Sequence, residues 1–599
     1  MEIFFVATES DKTNNKNKIY AGDWCFFSNQ EKIKSEISKI KSLEIYSDKE
    51  KLKKEITVLK IFFFNELKQK LNNLHNLSYS DKFWKFLLDP WLSCFLDSYI
   101  TKWKIIDNLE NSYEKVFFNQ YKDLKKNYSF DVRDYRSKFN FNDDFHQKQF
   151  QNILEFKSKI SPNSFGNIKV EEFKKKITKN KKISFFYFLK KKLSTILGFF
   201  SKNNNFFIFN SSLGIKEYLI LNFKLNQFPH FIFDKFNKEK YIEYFQNFIN
   251  KDQRNKIKIK ADEHNNLKIF LSEIILEELP ICYVEKFEQI INDSKKISIN
   301  SKIIVTSVEL LHNSLFKFWA ALMQETKKSI IIYPDHGGTL GIIDSNFDLL
   351  DYVDYRFTWH KPLIKNDIQV PSVNLSKIKD IRANSNSEID KILYISHNRK
   401  KYYHSFYDAP DGIKNLETIQ QFKFLKEKLS NKIKKKFYIK TYTENDSNYW
   451  IKNNSWLDKN DDCRIILKKK EYFKTFKKSK IIICNYPKTA LCEAMVSGPT
   501  IMLFDPNLWK QNEFFLDIEE RLKDSKIFFN NGSEAAEHIN LIWDDPLKWW
   551  NSNKVLKCRE EFNNRFAMTL RNPVDKWAKE LQEIDNRSKN FNLHNNKDG

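Results

Sequence analysis

The stretch "KSKIIICNYPKTALCEAMVSGPTIMLFDP" (478–506) reads as one strand–helix–strand unit. The apolar run 480–485 is a strand, Asn485 is a cap-type residue, and Pro487 suits the first turn of a helix. Leu491, Ala494 and Met495 give that helix its apolar face; Gly498 then Pro499 stop it, and a second strand spans 500–504. Two strands joined through one helix run parallel, so the helix starts at the carboxyl end of the first strand, where open sheets bind their ligands. Lys488 and Thr489 lie in the first turn, where exposed N–H groups and the helix dipole favour a phosphate. Glu493, one turn further on, can accept hydrogen bonds from sugar or ribose hydroxyls.

The same rhythm extends outward. Short apolar runs at 2–7, 206–214, 302–311, 329–338, 355–362, 391–400, 436–444 and 525–531 are each followed by polar loops, most of them leading into helical text. Strands alternating with helices define an α/β class with parallel sheets. From about 29 to 200 the text is mostly helical, and "KFWKFLLDPWLSCFLDSYITKW" (82–103) has apolar residues on every face, as a buried helix does. A polar stretch within 363–390 marks a boundary. The expected organisation is an N-terminal α/β domain (1–365) with a helical insertion at about 29–200, a linker (366–390), a C-terminal nucleotide-binding domain (391–585) and a disordered tail (586–599).

Composition narrows the function classes. At 599 residues the chain exceeds a single core, and 41% hydrophobic with 16% aromatic residues excludes general disorder. The formal charge of +25 invites a nucleic-acid reading, but lysine, asparagine, isoleucine and phenylalanine are abundant along the whole chain, so solvated lysines are the expectation. Seven scattered cysteines without a CxxC pair give neither a disulfide framework nor a zinc ribbon, and fit a reducing cytoplasm. No apolar run approaches the roughly 20 residues needed to span a bilayer. The lysine- and phenylalanine-rich stretch 173–200 is a candidate for peripheral contact at the inner face of a membrane, against a buried helix edged by snorkelling lysines.

Three further loops carry chemistry. The chain holds only eleven glycines, and Gly337, Gly338 and Gly341 fall in "DHGGTLG" directly after the strand "SIIIYP". Glycine there permits positive φ and close backbone approach, and freed N–H groups can cradle an anion. His336 is the nearby side chain able to take and give a proton near neutral pH. "YISHNRKK" (394–401) places Asn398 and Arg399 in a donor-rich loop suited to a diphosphate, and Lys440 ends its own strand. No two aspartates lie two residues apart, so no DxD carboxylate pair is present; there is also no Walker A, GxGxxG or GxSxG motif.

"DHGGTLG", "YRFTWHKP", "CEAMVSGPTIMLFDPNLW" and "INLIWDDPLKWWNS", with "YAGDWC" and "FWKFLLDPWL" near the start, resemble a family of bacterial transferases associated with surface-polysaccharide synthesis. That resemblance implies a GT-B-like fold, two Rossmann-like domains facing across a cleft, with distant similarity to nucleotide-sugar glycosyltransferases and to CDP-glycerol glycerophosphotransferases. His336, Gly337 and Gly338 match the family's His-Gly-Gly motif, with Asp335 in place of a glutamine; Thr489 and Glu493 match its Thr and Glu; Pro487-Lys488 replaces an Asn-Ser pair. Asp505, Pro506 and Trp509 match a segment that lines the nucleotide pocket or packs, and Trp543, Trp549 and Trp550 a segment expected to pack the last helix across the domain junction.

The implied activity is metal-independent transfer of a sugar from a nucleotide-sugar donor to a surface polysaccharide or lipid-linked glycan. The alternatives are glycerophosphoryl transfer from a CDP-glycerol-type donor, a non-catalytic glycan-assembly protein and a nucleic-acid-binding protein. No cofactor is expected, because the nucleotide-activated donor is itself a substrate. His336 would be the general base for the acceptor hydroxyl or a hydrogen-bond partner of the leaving diphosphate. Gly337, Gly338, Asn398, Arg399, Lys440, Asn485, Lys488, Thr489 and Glu493 would hold nucleotide and phosphate.

Overall fold

The structure is a computed structural model that describes residues 2–11, 15, 17–45, 49–170, 172, 204–230, 236, 249–261, 264–307, 309–337, 339–343, 352–384, 389–402, 412–441, 449–450, 463–466, 468–509 and 511–595. Gly338 and the stretch 173–200 lie outside them.

The described strands form three sheets, and every ladder in them is parallel. The first contains β1 (Glu2–Val6), β2 (Lys18–Tyr20), β3 (Lys115–Tyr121) and β4 (Phe165–Val170), in the order β2-β1-β3-β4. The second runs in chain order through β5 (Phe206–Ile208), β6 (Ile303–Val305), β7 (Ile330–Pro334), β8 (Tyr355–Thr358) and β9 (Asp367–Gln369). The third contains β10 (Lys391–Ser396), β11 (Phe437–Thr441), β12 (Arg464–Ile465), β13 (Ser479–Cys484), β14 (Thr500–Leu503) and β15 (Phe528–Phe529). Its order, β12-β11-β10-β13-β14-β15, is doubly wound, with the topological switch between β10 and β13. These strands are near-continuous apolar runs because helices cover both faces: Ile481, Ile482 and Ile483 of β13 are all fully buried.

Ten of the strands coincide with the apolar runs read from the sequence. The chain crosses from the second sheet to the third, and its last helix, Pro573–Asn595, returns to the second. There the Trp577 indole N–H donates to Pro371 O at 3.0 Å and its ring meets Phe357 edge-on at 5.3 Å. This gives the expected GT-B-like pairing of the second and third sheets.

The N-terminal part differs from expectation. The stretch 29–200 is not helical alone, since β3 and β4 lie within it and join β1 and β2 in a sheet of their own. The helix expected at 82–103 is longer, Asp81–Ser112, with the Ser80 side chain accepting from the Phe83 N–H at 3.3 Å. It passes through Pro90 and buries residues on all sides, including Trp84, Trp91 and Tyr99. The expected tail also needs correction. The last helix continues to Asn595, helped by i,i+4 pairs such as Lys589–Asp585 at 2.6 Å.

The stretch 366–390, expected to be a linker, contains β9 and the helix Val373–Ile378. It then buries Arg382 in the third-sheet unit. All five guanidinium N–H donors are used: Nε on Ser497 Oγ, Nη1 on the carbonyls of Ser479 and Pro499, and Nη2 on Ala494 O and Thr500 Oγ, at 2.9–3.2 Å. No carboxylate is among those acceptors, and burial pushes the guanidinium down to about 9. Replacing Arg382 with Ala leaves these acceptors without donors, and is expected to cost about 3–5 kcal/mol. The shift in the chemical-denaturation midpoint measures it; a loss below about 1 kcal/mol would show that this plug is not structural.

Candidate functional site

The carboxyl ends of β7 and β13 face each other. After β7, Asp335 is buried; its N–H donates to Phe357 O at 2.7 Å, and its Oδ1 accepts from the Gly337 N–H at 3.0 Å. That short turn leaves His336 exposed, with Nδ1 3.4 Å from the Tyr333 hydroxyl. After β13, Lys488 is the N-cap residue of the helix Thr489–Ser497, whose first residue turns back across the crevice. The Thr489 hydroxyl donates to Gly337 O at 2.6 Å. His336 and the start of this helix therefore share one opening.

A second contact closes the same crevice. Asn512 donates through its backbone N–H to Ile342 O at 3.0 Å and through its amide to Gly341 O, and Ile343 bridges Gln511. Gly341 is glycine for reasons of space: a Cβ there would come within 2.6 Å of His360 Cβ. The expectation of positive φ needs correction for Gly337 and Gly341, because among the described residues the only glycine at positive φ is Gly498, at 153°. Gly337 instead provides the carbonyl that Thr489 grips.

Asn485 ties the two strands of the switch point together. Its Oδ1 accepts from the His397 N–H at 2.7 Å, and its amide donates to Ser396 Oγ at 2.9 Å. Lys488 lies over the Trp509 ring at 5.6 Å, and Trp509 in turn meets His397 edge-on at 5.1 Å. Trp509 thus packs against the loop after β10 and carries the lysine above it. Glu493 is half-buried, and loss of hydration pushes its carboxyl up to about 7 against the lowering effect of a hydrogen bond from Tyr472.

The basic loop after β10 is placed differently from its expected role. Asn398 and Arg399 are buried, and Arg399 forms an ion pair with Asp23 of the first-sheet unit at 2.6 Å while stacking over Trp450 at 4.2 Å. Next to it, Lys401 pairs with Glu9 at 3.0 Å and Asp143 at 2.7 Å. Lys440 is half-buried on β11, opposite Ile395 in the ladder. The structure therefore gathers His336, Gly337, Asn485, Lys488 and Thr489, with Glu493 one turn along. It directs Arg399 toward the first-sheet unit, where Asp23 pairs with it.

Reading the sequence missed His360. It is buried behind the glycine turn, its Nδ1–H donates to Lys361 O at 2.7 Å, and burial lowers its basicity although Asp335 works the other way. The only signal was its place in "YRFTWHKP". Two of the late tryptophans sit elsewhere than the junction: Trp543 belongs to the core of the third sheet, and the Trp549 indole donates to Ser525 O at 3.2 Å. Among the described residues no group of His, Cys, Asp and Glu is arranged to hold a metal ion.

Glu493 predicts a pH dependence. Its folded value lies above the ordinary 4.5, so between about 4.5 and 7 the folded protein holds a proton that the unfolded chain has released. Stability from this group therefore falls as pH rises through that window, and the penalty is complete above about 7. Glu493→Gln should be more stable than the parent by about 2 kcal/mol at pH 8, a figure discounted for partial exposure, and nearly equal at pH 5. Urea denaturation at the two pH values measures the difference; equal gains at both would refute it.

Comparison with known proteins gives the following. No curated protein matches the chain. Among solved structures, MnaA from S. aureus in complex with UDP aligns at 10% identity and a TM-score of 0.32, covering 50% of this chain and 80% of that one. The wall teichoic acid polymerase TagF, soaked with CDPG, aligns at 10% identity and a TM-score of 0.28, covering 49% of this chain and 74% of that one. A family model matches residues 3–581, almost the whole chain including the crevice, and the protein belongs to the LIC12162 family of transferases.

Proposed function

We propose that this transferase moves a glycosyl group from a nucleotide-sugar donor to a hydroxyl of a surface polysaccharide or lipid-linked glycan. The observation that carries the reading is the 2.6 Å bond from Thr489 to Gly337, which puts a proton-handling imidazole and an anion-favouring helix start on one crevice. When His336 Nδ1–H donates to the Tyr333 oxygen, Nε2 keeps the lone pair a base requires. It takes the proton of the acceptor hydroxyl as that oxygen bonds to the transferred group. The bond from that group to the diphosphate breaks, and the electron pair leaves with the diphosphate. Lys488 and the first N–H groups of Thr489–Ser497 stabilise that charge, without a step assigned to a metal.

In a CDP-glycerol-type donor the glycerophosphoryl group is carried on CMP; the acceptor oxygen would attack its phosphorus and CMP would leave, past the same imidazole and the same helix start, so the donor nucleotide is what a test has to decide. A thermal-shift screen with UDP, CDP, GDP and CMP identifies it, since a bound ligand raises the melting temperature by mass action. With the donor found, His336→Ala should keep the parent melting temperature and that ligand-induced shift while transfer falls by about 10²–10⁴-fold. Full activity in that variant would remove His336 from the chemistry, and the absence of any nucleotide shift in the parent would argue for a non-catalytic assembly role.

A further inference from the structure

One surface of the second-sheet unit has no counterpart in the transfer chemistry. The helix Ile215–Lys224 follows β5, and its inner face is satisfied: Leu221 and Leu225 just beyond it join Val574, Trp577 and Ala578 of the last helix in one buried cluster. Its outer face is also apolar. Ile215, Leu219 and Phe223 recur every four residues and so share one side of the helix. Ile215 is 80% exposed and Phe223 82%, and Leu219, Ile220 and Phe228 beside them are exposed as well. Leu219, Phe223, Asn226, Gln227, Phe228 and Pro229 border an open depression of about 570 Å³.

We propose that this face docks on an anionic lipid bilayer, lying in the interface plane. The charge beside it selects that occupant. The stretch 173–203 contains ten lysines and no acidic residue, and it rejoins the described chain at Asn204, whose amide donates to Phe228 O at 2.6 Å. The chain segment that carries these ten lysines therefore connects directly to a residue bonded at the apolar face. A second copy of this chain, formally +25, would bring like charge against like, whereas an anionic headgroup layer meets both features. Apolar insertion and polybasic attraction are the two signals that together give stable peripheral binding. Among the described residues no helix is long and apolar enough to cross a membrane, so the contact is to one leaflet.

The test is independent of the transferred group, because it involves no transfer. The full-length protein is co-sedimented with vesicles of phosphatidylcholine alone and with vesicles containing 30% phosphatidylglycerol, beside an Ile215→Asn/Phe223→Asn variant whose melting temperature is checked. Both side chains point outward, so the fold should persist. The expected result is binding to the anionic vesicles only, weakening as salt rises, and about 10²-fold weaker in the variant. Three results would overturn the proposal: no binding of the parent to anionic vesicles, equal binding by the variant, or light scattering that shows a dimer which the same variant dissociates.

Discussion

The buried guanidinium of Arg382 fixes the element on which the candidate site depends. It sits at the carboxyl end of the helix Thr489–Ser497, where Ala494 O and Ser497 Oγ accept from it, and it also reaches the starts of β13 and β14 through Ser479 O and Thr500 Oγ. A cation is favoured at that end because the unsatisfied carbonyls and the dipole are negative there. The opposite end of the same helix, about 13 Å away at 1.5 Å per residue, grips Gly337 through Thr489. Arg382 belongs to the chain leaving the second sheet, and Gly337 belongs to that sheet's β7 loop. One nine-residue helix of the third-sheet unit is thus held to the second-sheet unit at both ends.

The parallel architecture explains why so much converges on one edge. In a parallel sheet both faces are covered by helices, and the loops at the carboxyl ends of the strands are where ligands bind. The carboxyl edge of the third sheet is long enough to face two partners. Its β13 half meets the second sheet through Thr489 and Asn512, and its β10 half meets the first sheet through Arg399 and Lys401. The switch point between β10 and β13, bound together by Asn485, lies between the two contacts.

Much of this was legible from local sequence. Ten strands announced themselves as apolar runs because buried parallel strands have no polar face to alternate with. The glycine turn and the 478–506 unit announced the two sides of the crevice. What failed to show was either too polar or too distant. β4 exposes Asn167, Ile168 and Lys169, so "FGNIKV" has no apolar run, and β12 is two residues long. β3 begins shortly after a 32-residue helix, whose periodicity dominates the neighbouring text. Arg399 and Asp23 lie 376 positions apart, and nothing local to "HNRKK" distinguishes a lysine or arginine that meets phosphate from one that meets a carboxylate.

That last distinction bears on how the crevice handles charge. Burying Arg399 and Asp23, each no more than 2% exposed, removes both from water, a cost that only close pairing and further hydrogen bonds offset. Such a pair gains little stability over an apolar contact, but it penalises any arrangement in which the two units separate, since each charge would then be left in a partly dry interface. The loop after β10 is therefore held in position by the first-sheet unit. Arg399 and Lys401 are engaged in those ion pairs, while Lys488 lies over Trp509 at the start of the helix that grips Gly337 beside His336. Lys488 and Thr489 thus lie on the side of the crevice where the imidazole lies.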